Sequence, residues 1–283
     1  MTTATLEALA RQAVEGDREA LDRLITQLQP DVYRLALRML WNRQDAEDAS
    51  QEILVKVVTR LAQFDSRSRL QTWVYRIAVN YLLDVKKSPV ERMRLSFGAF
   101  AMDLADGLSD EGPQPAERSI LVEEVKIGCT LAMLQCLERP HRLAYVLGDI
   151  FELSGPEAAE ALGISPALFR KRLQQAREII VSFTSQHCGL ISDAAECACH
   201  RRVPAAVRTG RVDPEALHFA VTPSSFEEAR AMVQRVEETR RTCALHRATT
   251  PQVPSVDLAR RILDAFDADG DVPPAGRAIS REP

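Results

Sequence analysis

The sequence predicts an all-α protein that has two helical modules, a linker between them and a partly helical C-terminal extension. Apolar residues recur at the spacing of one helix face in two successive segments, a pattern typical of amphipathic helices. They are Val32, Leu35, Ala36, Met39 and Leu40 in the first segment, and Ile53, Leu54, Val57, Val58 and Leu61 in the second. No segment alternates apolar and polar residues as a half-buried strand does.

Length and composition exclude several classes of protein. The chain has 283 residues, of which 46% are hydrophobic, so it suits one large domain or two or three small ones and is too apolar to be wholly disordered. No apolar run approaches the ~18 residues of a membrane span. The N-terminus lacks the apolar core of a signal peptide, so we expect a cytoplasmic protein with no membrane partner.

The distribution of charge and of helix breakers divides the chain into four segments. Within the first module, residues 1–87, positions 31–87 carry 10 basic and 7 acidic residues. Residues 88–120 carry 3 basic and 6 acidic residues among Gly and Pro breakers, which predicts an acidic flexible linker with a short helical piece near Phe100–Leu104. A second helical module follows at residues 121–183, and residues 184–283 form the extension. Residues 164–182, within the second module, carry 4 basic residues and 1 acidic residue, so the net charge of −4 conceals two locally basic stretches.

A polar break at Asn42–Ala46 separates the first two helices, and Asp45 is placed to cap the second. The start of this second helix carries an acidic and polar patch that a basic protein partner could use. The patch consists of Asp45, Glu47, Asp48, Gln51 and Glu52. Acidic residues in a first turn are also favourable with the helix dipole alone, so a purely structural role stays open.

A third helix is predicted from Leu70 to Lys87, and in and before it aromatic residues interleave with cations. Aromatic rings can stack on exposed bases while Arg and Lys follow the phosphates. The candidate strand-binding residues are Phe64, Arg67, Arg69, Trp73, Arg76 and Asn80. The alternative is that Trp73 packs in the core and the cations form a solvated surface.

The second module contains a helix-turn-helix pattern. Helices are predicted at Leu121–Leu137, Pro140–Phe151, Gly155–Leu162 and Ser165–Phe183. Gly163 suits the left-handed end of one helix and Ser165 suits the cap of the next. The candidate DNA contacts on that next helix are Ser165, Arg170, Lys171, Arg172 and Arg177. A plain helical hairpin with a solvated basic face is the alternative.

The extension holds thiol and imidazole side chains that suit zinc or copper. The candidate ligands are His187, Cys188, Cys197, Cys199 and His200. The alternative is a set of partly buried free thiols. Little periodicity is visible over residues 184–223, whereas helices are predicted at Ser224–His246 and Asp257–Phe266.

Three runs, in this order and separation, resemble the extracytoplasmic-function (ECF) sigma factors of bacterial RNA polymerase. The runs are Asp45–Glu52, Phe64–Asn80 and Leu153–Arg177, and the resemblance covers about residues 8–183. It implies a promoter-recognition subunit that is no enzyme and requires no cofactor. The patch at Asp45–Glu52 would dock on core polymerase. The Phe64–Asn80 run would take a flipped base of the minus-ten element, and the helix from Ser165 would read the minus-thirty-five element.

The departures from the family pattern concern direct readout of duplex DNA. Gly155–Pro156 and Pro166–Leu168 are less polar than the family's usual residues, so DNA shape is expected to contribute more. The expected partners are core RNA polymerase, promoter DNA and an anti-sigma factor, and the extension is expected to tune activity.

Two other functions remain open from the sequence. A helix-turn-helix regulator that binds duplex DNA without polymerase would leave the Phe64–Asn80 run unexplained. An enzyme is disfavoured because the chain has no Gly-rich phosphate loop, nucleophile elbow or paired carboxylates in a suitable frame.

Overall fold

The computed structural model describes residues 5–85, 95–108, 117–222, 226–236, 238–251, 253 and 257–268. Within these ranges the chain forms thirteen α-helices and no strand, so the all-α prediction is confirmed. None of the helices in this described part is long and apolar enough to cross a membrane.

The first module consists of four helices. They are α1 (Leu6–Val14), α2 (Arg18–Leu40), α3 (Arg43–Arg60) and α4 (Leu70–Asp84). The predicted apolar face of α2 is buried. The expected cap of α3 is wrong: Asn42, not Asp45, is the cap, and its side chain accepts a hydrogen bond from the Asp45 backbone N–H at 2.9 Å. Asn42 is the cap because the side chain of a capping residue accepts from the backbone N–H three residues further on, which here belongs to Asp45. The predicted end of α4 at Lys87 lies outside the described residues.

Part of the linker is folded. The expected helical piece is α5 (Phe97–Ala105), capped by Ser96. The Phe100 ring stacks on Phe183 of the second module, with 5.5 Å between ring centroids and 12° between ring planes. The described linker residues 95–108 are thus packed on the protein, whereas residues 88–94 and 109–116 lie outside the described ranges.

The second module follows the predicted order of helices. They are α6 (Glu117–Gln135), α7 (Arg139–Tyr145), α8 (Gly155–Leu162) and α9 (Pro166–His187). A π-turn at Val146–Ile150 extends α7 towards the Phe151 end expected from the sequence.

The extension adds four helices, of which the sequence predicted only part. They are α10 (Cys199–Arg208), α11 (Phe226–Gln234), α12 (Glu238–Ala248) and α13 (Leu258–Ala268). The single helix expected at Ser224–His246 is wrong. The helix ends at Gln234. Just beyond it, the Arg241 side chain donates to the Val236 carbonyl at 3.3 Å, in place of the backbone N–H that would bond this carbonyl in a continuous helix. The helix α10 was missed because Pro204 lies inside it, and proline normally interrupts a helix.

The two modules pack directly on each other around a shared hydrophobic core. The buried Arg142 guanidinium donates to the Leu134 carbonyl at 2.8 Å and also reaches the Met39 carbonyl of the first module. Arg139 donates to the carbonyls at the end of α4, including Leu82 at 3.0 Å. Because buried carbonyls need donors, these two arginines fix how the modules sit together.

Candidate nucleic-acid interface

The loop before α4 carries a pair of aromatic rings. Phe64 and Trp73 lie with ring centroids 5.6 Å apart at 54°, and both are half-buried against the core. Asp65 accepts a hydrogen bond from the Arg67 backbone N–H at 3.2 Å, and Ser66 has a φ of 58°, in the left-handed region. The rings are thus packed on one side and open on the other, which combines the two roles that the sequence left open for Trp73.

One exposed face of α4 continues from the ring pair. Trp73, Arg76 and Asn80 are three and seven residues apart along the helix, which places them on one side. Arg76 and Asn80 are exposed and make no side-chain hydrogen bond within the described residues. Arg67 is 87% exposed and pairs with Asp65. This face combines a ring, cations and an amide, the groups that bind single-stranded nucleic acid.

The neighbouring side of the loop is tied to the second module. Arg69, 72% exposed, donates to Glu157 of α8 at 3.3 Å. On α4, Tyr75 packs its ring on Phe151, with centroids 5.5 Å apart. Of the residues predicted to bind the separated strand, Arg69 is therefore the one that already pairs with the second module.

The helix-turn-helix is built by the local signals that the sequence contains. Ser154 and Glu157 form a capping box, and hydrogen bonds from Ser154 lower the pKa of Glu157. Gly163 ends α8 with a φ of 62°. Ser165 caps α9 and accepts from the Leu168 N–H at 3.2 Å. These features confirm the motif.

The helix α9 buries one side and exposes cations on the other. Phe169 and Leu173 are buried and approach Gly148 so closely that a Cβ there would meet each of them at 3.0 Å. Ser165, Arg170 and Lys171 are exposed and Arg172 is half-exposed. The cations at the start of α9 therefore lie on the side of the helix that faces away from the core.

Arg177 differs from the other four predicted DNA contacts. Its Nε lies 2.7 Å from Oδ2 of Asp149, and Nη2 contacts Oδ1. Asp149 is buried and also accepts from the Cys243 thiol at 3.4 Å. These bonds raise the pKa of Arg177. The sequence did not indicate Asp149, because a single acid within an apolar segment carries no local signal of its partner.

The acidic and polar patch lies along the first half of α3. Glu47 pairs with Arg43 at 2.9 Å, Asp48 accepts from Gln44 at 3.2 Å, and Glu52 lies 3.8 Å from Lys56. Asp45 and Gln51 are half-exposed. Pairs of this kind on a helix surface are worth only ~0.3–0.5 kcal/mol, so a protein partner can displace them.

Most of the cysteine and histidine candidates of the extension meet, but not as a metal centre. His187, Cys188, Cys197 and Cys199 line one cavity, whereas His200 packs edge-on against Phe226 at 5.1 Å. Burial raises the pKa of the cavity thiols, that of Cys197 to about 11. In the part of the chain that is described, no three His, Cys, Asp or Glu residues are arranged to hold a metal ion. Since metal ligation needs the thiolate, these thiols would have to lose their protons to hold a metal ion.

Comparison with known proteins decides the family. The profile of Sigma-70 region 2 matches residues 24–88, and that of Sigma-70, region 4, matches residues 127–180. The ECF RNA polymerase sigma factor SigE of Mycolicibacterium smegmatis is 30% identical over 184 residues, which cover 64% of this chain and 68% of that protein. The chain belongs to the ECF sigma factors of the sigma-70 family.

Other sigma factors show the same relation. The RNA polymerase sigma factor NccH of Alcaligenes xylosoxydans xylosoxydans is 30% identical over 171 residues, covering 60% of this chain and 90% of that protein. SigW of Bacillus subtilis is 28% identical over 179 residues, covering 60% of this chain and 91% of that protein.

The family membership establishes the general function. As an ECF sigma factor, the chain binds core RNA polymerase, directs it to promoters and assists strand opening, and it is a non-enzymatic initiation factor. A regulator that acts on duplex DNA alone is not favoured, because the region 2 match covers the first module, which such a regulator leaves unexplained. Neither profile extends beyond residue 180.

Proposed function

We propose that this ECF sigma factor opens promoters by capturing an unpaired base beside the Phe64–Trp73 ring pair. The observation that carries this role is the open side of the rings, continued by Arg76 and Asn80 along α4. The rings would stack on the base, Arg67, Arg69 and Arg76 would hold phosphates, and Asn80 would read a base edge. Unpairing a base costs a few kcal/mol, which a fitted pocket can offset.

We also propose that the exposed half of α9 reads the minus-thirty-five element. Ser165, Arg170, Lys171 and Arg172 would make the contacts, since their side chains face away from the core. Arg177 was predicted to join them. Because its guanidinium is held by Asp149, we assign it instead to fixing α9 on the π-turn.

The patch on α3 would dock on core polymerase. Its carboxylates at Asp45, Glu47, Asp48 and Glu52, together with Gln51, are half-exposed or exposed and are paired only within their own helix. A partner with a basic surface would exchange these weak pairs for its own.

Base capture would need a change in the packing of the modules. In the packed arrangement one Nη of Arg69 is directed at Glu157 and Tyr75 lies under Phe151, so α8 and Phe151 partly cover the strand-binding side of the first module. The helix-turn-helix would therefore move away from α4 when polymerase and promoter bind.

An anti-sigma factor that masks the α3 patch is a further proposed partner. We also propose a cytoplasmic location, because the protein acts on polymerase and DNA.

Binding of zinc or copper by the extension stays a proposal, and it would require residues 187–200 to rearrange and the thiols to lose protons. Metal analysis of protein purified without chelator or affinity histidines tests it. Less than one tenth of an equivalent would contradict it.

The proposed function is tested by transcription of genomic DNA fragments with bacterial core polymerase, with and without this protein, followed by mapping of the transcript starts. We expect starts that share two upstream elements and that vanish when Asp48→Lys weakens docking. Glu19→Lys, an exposed charge reversal on α2, is the matched control and should leave them unchanged. Failure of the wild-type protein to associate with core polymerase would overturn the proposal.

A further inference from the structure

A cavity of about 550 Å³ lies where four parts of the molecule meet. Trp41, which follows α2, contributes from the first module, and the linker contributes α5. The helices α6 and α10 supply walls from the second module and the extension. This volume lies within the range of small-molecule sites in proteins, ~300–1,000 Å³.

The lining of the cavity is mainly apolar. Phe100 and Leu104 come from α5, Met133 comes from α6, and Phe183 comes from the end of α9. Phe100 and Phe183 stack on each other, so two flat faces stand at the cavity edge.

The charged groups around the cavity are satisfied by the protein itself. Asp103 is held between Arg202, at 3.2 Å, and Arg211. At another wall, the buried Glu124 accepts hydrogen bonds from three successive backbone N–H groups, those of His218, Phe219 and Ala220, at 2.7–2.9 Å. A charged ligand would find no unpaired opposite charge among these groups and would lose its own hydration.

Four thiols complete the lining and behave as apolar groups. They are Cys129, Cys188, Cys197 and Cys199. Burial raises the pKa of each, so they are protonated at neutral pH. These partly buried, protonated thiols pack as small hydrophobic groups and react slowly with electrophiles.

We infer that this cavity binds a neutral, apolar small molecule without forming a covalent bond. The paired charges at Asp103 and Glu124 disfavour ionic ligands, and the protonated thiols favour packing over reaction. The cavity is thus a ligand site formed jointly by the extension and the sigma modules.

Binding there would stabilise the packed arrangement of the modules, a consequence that rests on the proposed function. A ligand in contact with Trp41, α5 and α6 would bridge the first module, the linker and the second module. It would thereby keep α8 against α4 and Arg69 on Glu157, and would lower promoter opening.

Glycine substitutions give a sharp test. A Cβ added at Gly128, which lines the cavity from α6, meets nothing within 4 Å, so Gly128→Leu should fill the cavity without a clash at its Cβ. The matched control is Gly98→Leu in α5, where a Cβ also meets nothing and the residue is exposed. Gly128→Leu also removes a helix-interior glycine, which favours helix formation, whereas Gly98 lies in the first turn of α5.

The probe is N-phenyl-1-naphthylamine, a neutral dye that fluoresces when it enters an apolar site, titrated into the full-length protein. We expect saturable binding of one dye per chain, at least tenfold weaker in Gly128→Leu and unchanged in Gly98→Leu. The absence of saturable binding to the wild type, or equal binding to Gly128→Leu, would overturn the inference. Saturable binding only after removal of residues 269–283 would show an occupant from the chain itself and would also overturn it.

A second arm adds the dye to transcription by core polymerase. Initiation should fall for the wild type and Gly98→Leu but not for Gly128→Leu. Equal inhibition of all three would refute the regulatory consequence. If no protein initiates even without dye, the proposed function fails while the binding result stands independently.

Discussion

The two nucleic-acid surfaces proposed for this sigma factor differ in which other parts of the protein cover them. The cations at the start of α9 are exposed, and Arg170 and Lys171 make no side-chain hydrogen bond in the described part of the chain. The loop before α4 is instead held at Arg69 by Glu157, and α4 lies against Phe151. The surface proposed for duplex DNA is therefore exposed in this arrangement, whereas the one proposed for the separated strand would become complete only when the modules move apart.

The two surfaces differ in how much is covered because α9 and α4 bury different numbers of sides. The helix α9 buries a single side, which includes Phe169 and Leu173, so its other side remains free. The helix α4 buries eight of its residues on several sides, and its exposed residues, Arg76, Asn80, Leu83 and Asp84, form one narrow stripe that continues from the half-buried Trp73. A helix that is apolar nearly all round needs neighbours on several sides, and α8 is one of them.

The largest expected effect separates Arg177 from the exposed cations. Arg177→Ala leaves the buried Asp149 without its main partner and should lower the free energy of unfolding by ~2–3 kcal/mol. This is less than the loss expected for a fully buried ion pair, because Arg177 itself is partly exposed. Arg170→Ala should change it by less than ~0.5 kcal/mol and weaken promoter binding instead. Urea unfolding of both variants checks this. Equal stability losses would erase the distinction within α9.

Acidification should loosen the packing that holds the modules together. His246 is buried against Tyr145, and burial, with Arg38 nearby, lowers its pKa from 6.5 to about 3. The unfolded chain takes up this proton near pH 6.5 while the folded chain does not. The free energy of unfolding should therefore fall by ~1.4 kcal/mol per pH unit below 6.5, or ~2 kcal/mol at pH 5.

The His246→Phe variant keeps a ring against Tyr145 and should remove this part of the pH slope. His141→Gln, at a partly exposed histidine, is the control and should keep it. Urea unfolding at pH 7 and pH 5 provides the measurement. An unchanged slope in His246→Phe would mean that the residue is not held neutral.

Loss of a ring should weaken strand capture but not duplex binding. Trp73→Ala removes stacking worth ~1–3 kcal/mol, and we expect the lower part of that range, about tenfold fewer open complexes, because Trp73 is half-buried. Trp73→Phe should retain most of the activity. A promoter with a pre-melted bubble should not restore the Trp73→Ala variant fully, since the capture itself is lost. Full restoration would assign Trp73 to melting rather than capture.

The smallest effect concerns the contact between the two surfaces. Glu157→Gln keeps the cap on α8 but removes the ion pair with Arg69, an exposed pair worth less than ~1 kcal/mol. Promoter opening should rise by a few-fold at most. Glu160→Gln, an exposed change on the same helix, should leave it unchanged. A fall in opening with Glu157→Gln would indicate that the ion pair assists capture.

Local signals made the helix-turn-helix predictable. Ser165, Pro166 and Gly163 act through hydrogen bonds and backbone angles within a few residues, so the sequence displays them directly. The resemblance to ECF sigma factors likewise gave the ring and cation set at Phe64–Asn80, whose contacts with DNA stay predictions.

Long-range partners were not predictable in the same way. Asp149 and Arg177 are 28 residues apart, Arg142 and Met39 are 103 apart, and neither pair leaves a periodic pattern. Cys129 and the thiols of the extension are far apart in the sequence but line the same cavity. They come together because α10 packs on α6.

The most direct test of the central claim is the fluorescence of 2-aminopurine placed in the non-template strand of the minus-ten element, at a promoter mapped by the transcription experiment. With holoenzyme, we expect the fluorescence to rise when the base leaves the stack, with a rise about tenfold smaller for Trp73→Ala and close to wild type for Arg177→Lys. An equal rise for the wild type and Trp73→Ala would contradict base capture by the ring pair.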